Sequence, residues 1–236
     1  MTHSYNLFPI DCAAKAYLLG FIACDSSLYE PSNKMSLEIA DESVMKFFSE
    51  MMDHPYVKYE KFDKRTNKTY TGYRIYRCIS AICNYYNGRL KHERIIPYNL
   101  VPLEYMSYLM QGIFDADGTL SMNMVSETNI GVRIEFASSP NIIQTVQDIL
   151  YQYLNITGHI YQRAKGTYVS LFIYNRKDFF TFLQWIYKTP WFLPLPRKYE
   201  KACHIYQCIL SQGRPHLLPE NTDALNTAPT KPFVRS

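Results

Sequence analysis

The chain has 236 residues, 47% hydrophobic and 19% charged, with a formal net charge of +4. That length holds one large core or two smaller ones, since domains of roughly 100–150 residues are commonest, and only 9 Gly and 13 Pro exclude a low-complexity chain. A small positive excess fits a polyanion partner only where it gathers on one face.

The 21 tyrosines suit a sheet with one face in use, because tyrosine favours half-buried strands and wet interfaces. Six cysteines stand at 12, 24, 78, 83, 203 and 208. No pair has C-x-x-C spacing, and two pairs are five apart, which suits neither a zinc knuckle nor one helix face. They read as ordinary thiols in a reducing, intracellular compartment. The opening "MTHSYNLFPIDC" is not a signal peptide, and no apolar run approaches the ~18 residues of a membrane span, so no membrane partner is expected.

In chain order, "YLLGFIACDSSL" (17–28) reads as an apolar helix ending on Asp25. "MSLEIA" (35–40) alternates as a half-buried strand, and "ESVMKFFSEMM" (42–52) has helical spacing. "VKYEKFDKRTNKTYTGYRIY" (57–76) is a hairpin turning at "KRTNK". "LMQGIFDADGTL" (109–120) then repeats the build of 17–28: Gly112, Asp117 and Leu120 stand 92 positions after Gly20, Asp25 and Leu28. "VRIEFASSPNIIQTVQDIL" (132–150) repeats 35–52, with Glu135 and Ala137 standing 97 positions after Glu38 and Ala40. "HIYQRAKGTYVSLFIY" (159–174) is the second hairpin, and "KDFFTFLQWIY" (177–187) an amphipathic helix. A repeat of this length means two copies of one subdomain. The expected fold is α+β, with two pseudo-symmetric αββαββα subdomains at 1–100 and 101–212 and an irregular tail at 213–236.

The helix ends pose a chemical question. A carboxylate at a helix C-terminus opposes the macrodipole, so something positive is expected beside Asp25 and Asp117. Gly20/Cys24 and Gly112/Ala116 put small residues four apart on each helix, which lets two such helices approach backbone to backbone. Should the copies meet there, the two acids emerge side by side. Close carboxylates repel, and a hard divalent ion such as Mg²⁺ would relieve both the repulsion and the dipole.

Both stretches resemble the LAGLIDADG motif of homing endonucleases, in the single-chain form with two motifs. "MQGIFDADG" (110–118) matches at Gly112, Ile113, Asp115, Ala116, Asp117 and Gly118; "LLGFIACDS" (18–26) keeps Leu18, Gly20, Ile22 and Asp25, with Ser26 replacing the closing glycine. The resemblance covers roughly residues 14–210. It implies motif helices packed at a pseudo-twofold axis, two four-stranded sheets forming a saddle over double-stranded DNA, and cutting of both strands across the minor groove.

It also implies that Asp25 and Asp117, with the backbone of Ser26 and Gly118, hold Mg²⁺, for which Mn²⁺ can substitute. A lysine near each active site is implied too: Lys91 and Lys198 match best by position, with Arg94 and Arg197 as rivals. Asp115, two residues before the motif acid, points elsewhere on its helix and reads as structural. Candidate DNA contacts on the polar strand faces are Lys34, Ser36, Lys58, Arg74 and Arg77 in the first half. In the second they are Asn123, Arg133, Gln162, Arg163 and Lys165, arginine and glutamine being base readers and lysine more often a phosphate contact. The function implied is a monomeric, metal-dependent homing endonuclease making double-strand breaks at a long asymmetric target. The alternative is a cleavage-inactive binder on the same scaffold, either a maturase for intron RNA or a DNA-binding regulator.

Overall fold

The computed structural model describes residues 4–29, 32–87, 89–126, 129–162, 167–189, 192 and 195–211. The chain divides into two compact units, Met1–Gly112 and Ile113–Ser236. The division falls inside a helix, later than the 100/101 boundary read from the repeat. The tail from 213 lies outside the described residues.

Unit 1 runs α1 (Ala13–Asp25), β1 (Ser26–Tyr29), β2 (Lys34–Ile39), α2 (Glu42–Met52), β3 (Val57–Asp63), β4 (Lys68–Cys78) and α3 (Ser80–Tyr86). After three short 3-10 turns, the chain enters α4 (Met106–Asp117). Unit 2 continues with β5 (Gly118–Ser126), β6 (Asn129–Ser138), α5 (Pro140–Leu154), β7 (His159–Gln162), β8 (Val169–Ile173), α6 (Arg176–Ile186) and α7 (Pro196–Ser211). Each unit holds one antiparallel four-stranded sheet, in the orders β1-β2-β4-β3 and β5-β6-β8-β7. The two orders are the same when read along each repeat, as a duplicated αββαββα pattern requires.

Local chemistry explains the elements. Every residue of α1 from Ala16 to Cys24 is buried, so this helix is a core element all round. By contrast α2 is one-sided, burying Val44, Met45, Phe48 and Met52. Asn175 caps α6 by accepting from the backbone N–H groups of Lys177 and Asp178, and Pro140 opens α5 where no N–H is needed. Asp53 and Asn155, after α2 and α5, adopt the left-handed conformation at φ 46° and 52°, which their short polar side chains tolerate. Each core centres on rings: Phe21 meets Phe48 edge-on at 5.2 Å in unit 1, and Phe114 meets Phe182 likewise at 5.5 Å in unit 2.

Unit 2 adds α7 beyond the repeated pattern. Its buried Tyr199, Ala202, Ile205, Tyr206 and Ile209 recur at helical spacing behind Pro196.

Candidate nucleic-acid interface and acidic helix ends

The cation demanded at each acidic helix end is present in the protein itself. At the end of α1, the Arg94 guanidinium is buried and donates to the Ser26 carbonyl oxygen at 2.9 Å and to the Ser26 hydroxyl at 3.3 Å. At the end of α4, the buried Lys198 ammonium donates to the carbonyl oxygens of Phe114 (2.5 Å), Asp115 (2.9 Å) and Gly118 (2.6 Å). Positive charge on the last carbonyls of a helix is the favourable sense of the macrodipole. Lys198 and Arg94 therefore fill like places in the two units. Lys91 instead extends an exposed ammonium to within 3.9 Å of Asp25 Oδ1.

The departure of Ser26 from the motif's glycine has a steric cause. A Cβ at Gly118 would collide with the Phe114 ring and with its carbonyl oxygen. One repeat earlier the residue corresponding to Phe114 is Ile22. There a side chain fits, and the Ser26 hydroxyl donates to the Ile22 carbonyl oxygen at 2.6 Å.

Asp25 is exposed and Asp117 half-buried, whereas Asp115 is buried, in keeping with a structural place for Asp115. It lies near Tyr187, whose phenol is fully buried and pushed well up, first by desolvation and then by the charge of Asp115. Of the small residues on the motif helices, Gly20, Cys24 and Gly112 are buried and Ala116 is half-buried. Gly112, in the unit 1 part of α4, leaves no room for a Cβ beside the Tyr17 carbonyl and the Phe21 nitrogen of α1. Glycine is required there by backbone approach.

Strand register sorts the proposed DNA contacts. In unit 1, Lys34 pairs with Cys78, Ser36 with Tyr76 and Glu38 with Arg74. These side chains share the face opposite the buried Met35, Leu37 and Ile39. Arg77 pairs with Met35 and Lys58 with Tyr73, which places both on the core-side face instead, a correction to the expected set. In unit 2, Ser121 pairs with Arg133, Asn123 with Gly131 and Thr119 with Glu135, all on the open face. Gln162 pairs with Val169 on the core side and leaves the expected set for the same reason. Arg163 and Lys165 lie outside the described residues. Aromatics join the open faces too: Tyr59 opposite Gly72 in unit 1, and Phe172 opposite His159 in unit 2.

The family model of the LAGLIDADG-like domain matches residues 104–187. That match spans the second motif helix and the sheet that follows it. Solved structures with the LAGLIDADG fold extend the likeness across both units. Full-length DUF199/WhiA from Thermatoga maritima shares 17% identity at a TM-score of 0.52, over 74% of this chain and 55% of that one. The homing endonuclease I-WcaI, bound to its DNA recognition sequence, shares 13% at 0.57, over 78% and 82%. The meganuclease I-SmaMI, bound to uncleaveable DNA, shares 12% at 0.51, over 89% and 94%. This chain thus spans about half the length of full-length WhiA. No curated protein matches the sequence.

Asp25 and Asp117, at the ends of α1 and α4, are the candidate metal acids. Among the described residues no group of three or more His, Cys, Asp or Glu side chains could hold a metal ion. Asp25 and Asp117 are hard oxygen donors of the kind Mg²⁺ takes. The backbone oxygens of Ser26 and Gly118 each accept from a buried cation, Arg94 and Lys198 in turn, and each keeps a second lone pair.

Proposed function

We propose that the protein is a site-specific, metal-dependent DNA endonuclease of the homing type, making double-strand breaks at a long asymmetric target. One repeated observation carries this reading. In both units a core helix ends on an accessible acid and leads directly into a sheet whose open face bears arginine, and those faces differ in sequence. Repetition supplies one acid and one reading surface per half, and the differing faces imply a target without strict symmetry. That I-WcaI, of like fold, is bound to its DNA recognition sequence, and I-SmaMI to uncleaveable DNA, supports DNA as the partner.

Asp25 and Asp117 would hold Mg²⁺, or Mn²⁺ in its place. When bound, the metal supplies an activated water and stabilises the leaving 3′ oxygen. Lys91 keeps a mobile positive charge beside Asp25 and would offset charge building on the phosphate. Lys198 and Arg94 act through the backbone, fixing the turns that carry the acids. Arg74, Lys34, Asn123 and Arg133 would hold phosphates and read base edges from the open faces. The protein would act as a monomer in a reducing intracellular compartment.

A second reading is favoured by the burial of Lys198 and Arg94, whose cations are engaged with carbonyl oxygens. A cleavage-inactive binder, on DNA or on intron RNA, needs the open sheet faces and no accessible lysine.

One experiment separates the two. A randomised duplex pool is bound in Ca²⁺ and transferred to Mg²⁺, with Asp117→Asn alongside. The endonuclease reading expects wild-type protein to cut both strands of the retained duplexes. Asp117→Asn should retain the same duplexes and leave both strands uncut. Duplexes retained but left intact by the wild type would establish the binder. Asp117→Asn protein that still makes double-strand breaks would remove Asp117 from the chemistry.

A further inference from the structure

On each open sheet face an arginine is engaged by a glutamate, and the glutamate itself is held by a hydroxyl from another strand. In unit 1, Glu38 Oε1 lies 2.7 Å from the Arg74 guanidinium, while Oε2 accepts from the Tyr59 hydroxyl at 2.9 Å. The Arg74 guanidinium also sits 4.6 Å from the centre of the Tyr59 ring. In unit 2, Glu135 Oε2 lies 3.8 Å from the Arg133 guanidinium, and Oε1 accepts from the Ser170 hydroxyl at 3.0 Å. Arg133 in turn lies 5.5 Å from the centre of the Phe172 ring.

The glutamates are repeat counterparts, 97 positions apart. The arginines are not: Arg74 comes from β4 and Arg133 from β6. So the carboxylate holds its place in the repeat while its cation arrives from a different strand, and both units end with the same arrangement.

On the reading that these faces bind DNA, we infer that Glu38 and Glu135 are specificity gates. Each carboxylate occupies the arginine as a phosphate would, and it repels a backbone phosphate brought to the face at random. A duplex offering a cytosine amino group to the carboxylate, or a guanine edge to the arginine, satisfies both groups. One offering only phosphate must displace an ion pair and leave a carboxylate facing negative charge. Discrimination then comes partly from a built-in penalty on wrong sequences.

The test compares wild type with Glu38→Gln, Glu135→Gln and the double variant. Glutamine still accepts from Tyr59 or Ser170, so the fold is retained while the charge is lost. The probe is a randomised duplex pool, with binding measured across a salt series in Ca²⁺. Glu60→Gln is the control, removing one charge from an exposed position on the other face of β3.

The double variant should bind the unselected pool about tenfold more tightly, with a salt slope steeper by roughly two units. Each single variant should give part of that gain, and enrichment of particular sequences from the pool should fall. Pool affinity unchanged from wild type, or raised no more than by Glu60→Gln, would overturn the gates while leaving the DNA-binding reading intact. Wild-type protein that retains no duplex at low salt would overturn that reading and the gates with it.

Discussion

Position 26 and position 118 show how one side chain's space is set by its neighbour four residues earlier. Phe114 closes the space above Gly118, and Ile22 leaves it open above Ser26. Gly118→Ser should therefore destabilise the protein by about 2–3 kcal/mol through overpacking, whereas Ser26→Gly should cost only about 1 kcal/mol, the worth of its hydroxyl bonds. Urea unfolding of the two variants checks the difference, and equal losses would refute the steric account. The two acids were legible in the sequence because the motif repeats at a fixed offset. The cations beside them were only half legible. A lysine near the end of each half marks Lys198 by position and offers Arg94 only as a rival to Lys91; what decides for Arg94 is the fold of the chain back onto α1. The burial of Lys198 was invisible for the same reason, since a lone lysine at a helix start ordinarily reads as solvated surface.

At the scale of elements, close helix approach is the most exacting requirement. Gly112→Ala should cost about 3 kcal/mol or more, because the added methyl meets the backbone of α1, which cannot rotate away as a side chain can. A thermal melt reads this directly, and a loss under 1 kcal/mol would show that α1 and α4 yield. Strand existence was plain from alternation, as in Met35, Leu37 and Ile39 or Val132, Ile134 and Phe136. Facing was harder. Lys58, Arg77 and Gln162 lie on core-side faces by register, yet Lys58 and Gln162 are exposed and Arg77 is half-buried. Period-two alternation separates two faces but does not say which is covered. A polar residue near a strand end therefore carries little information about its side. Glu38 and Glu135 illustrate the converse: their conspicuous repeat was read as alignment evidence, while their partners, drawn from different strands, emerged only from the register.

Over the whole molecule, buried phenols set the alkaline limit. Burial pushes Tyr5 up to about 12 and raises Tyr86 and Tyr187 further, their hydroxyls having no hydrogen-bond partner among the described residues. A folded pKa above the unfolded one means the native state holds its protons more tightly. The stability from this source is thus complete below the ordinary tyrosine value of about 10 and declines as pH rises beyond it. Ultraviolet titration should show Tyr5 ionising near 12 and Tyr86 with Tyr187 later still. Replacing either of those two with phenylalanine should flatten the alkaline fall in stability.

The place where the chain divides also bears on its modularity. Gly112 closes the first unit while α4 runs on to Asp117 in the second, so one rod of helix serves two owners. A fragment cut at residue 100 leaves the backbone of Tyr17 and Phe21 without the glycine that covers it. A chimera joined there imports a foreign helix, and unless glycine stands at the place of Gly112 an added methyl meets the backbone of α1. Any graft of one half onto another must carry a glycine to that place.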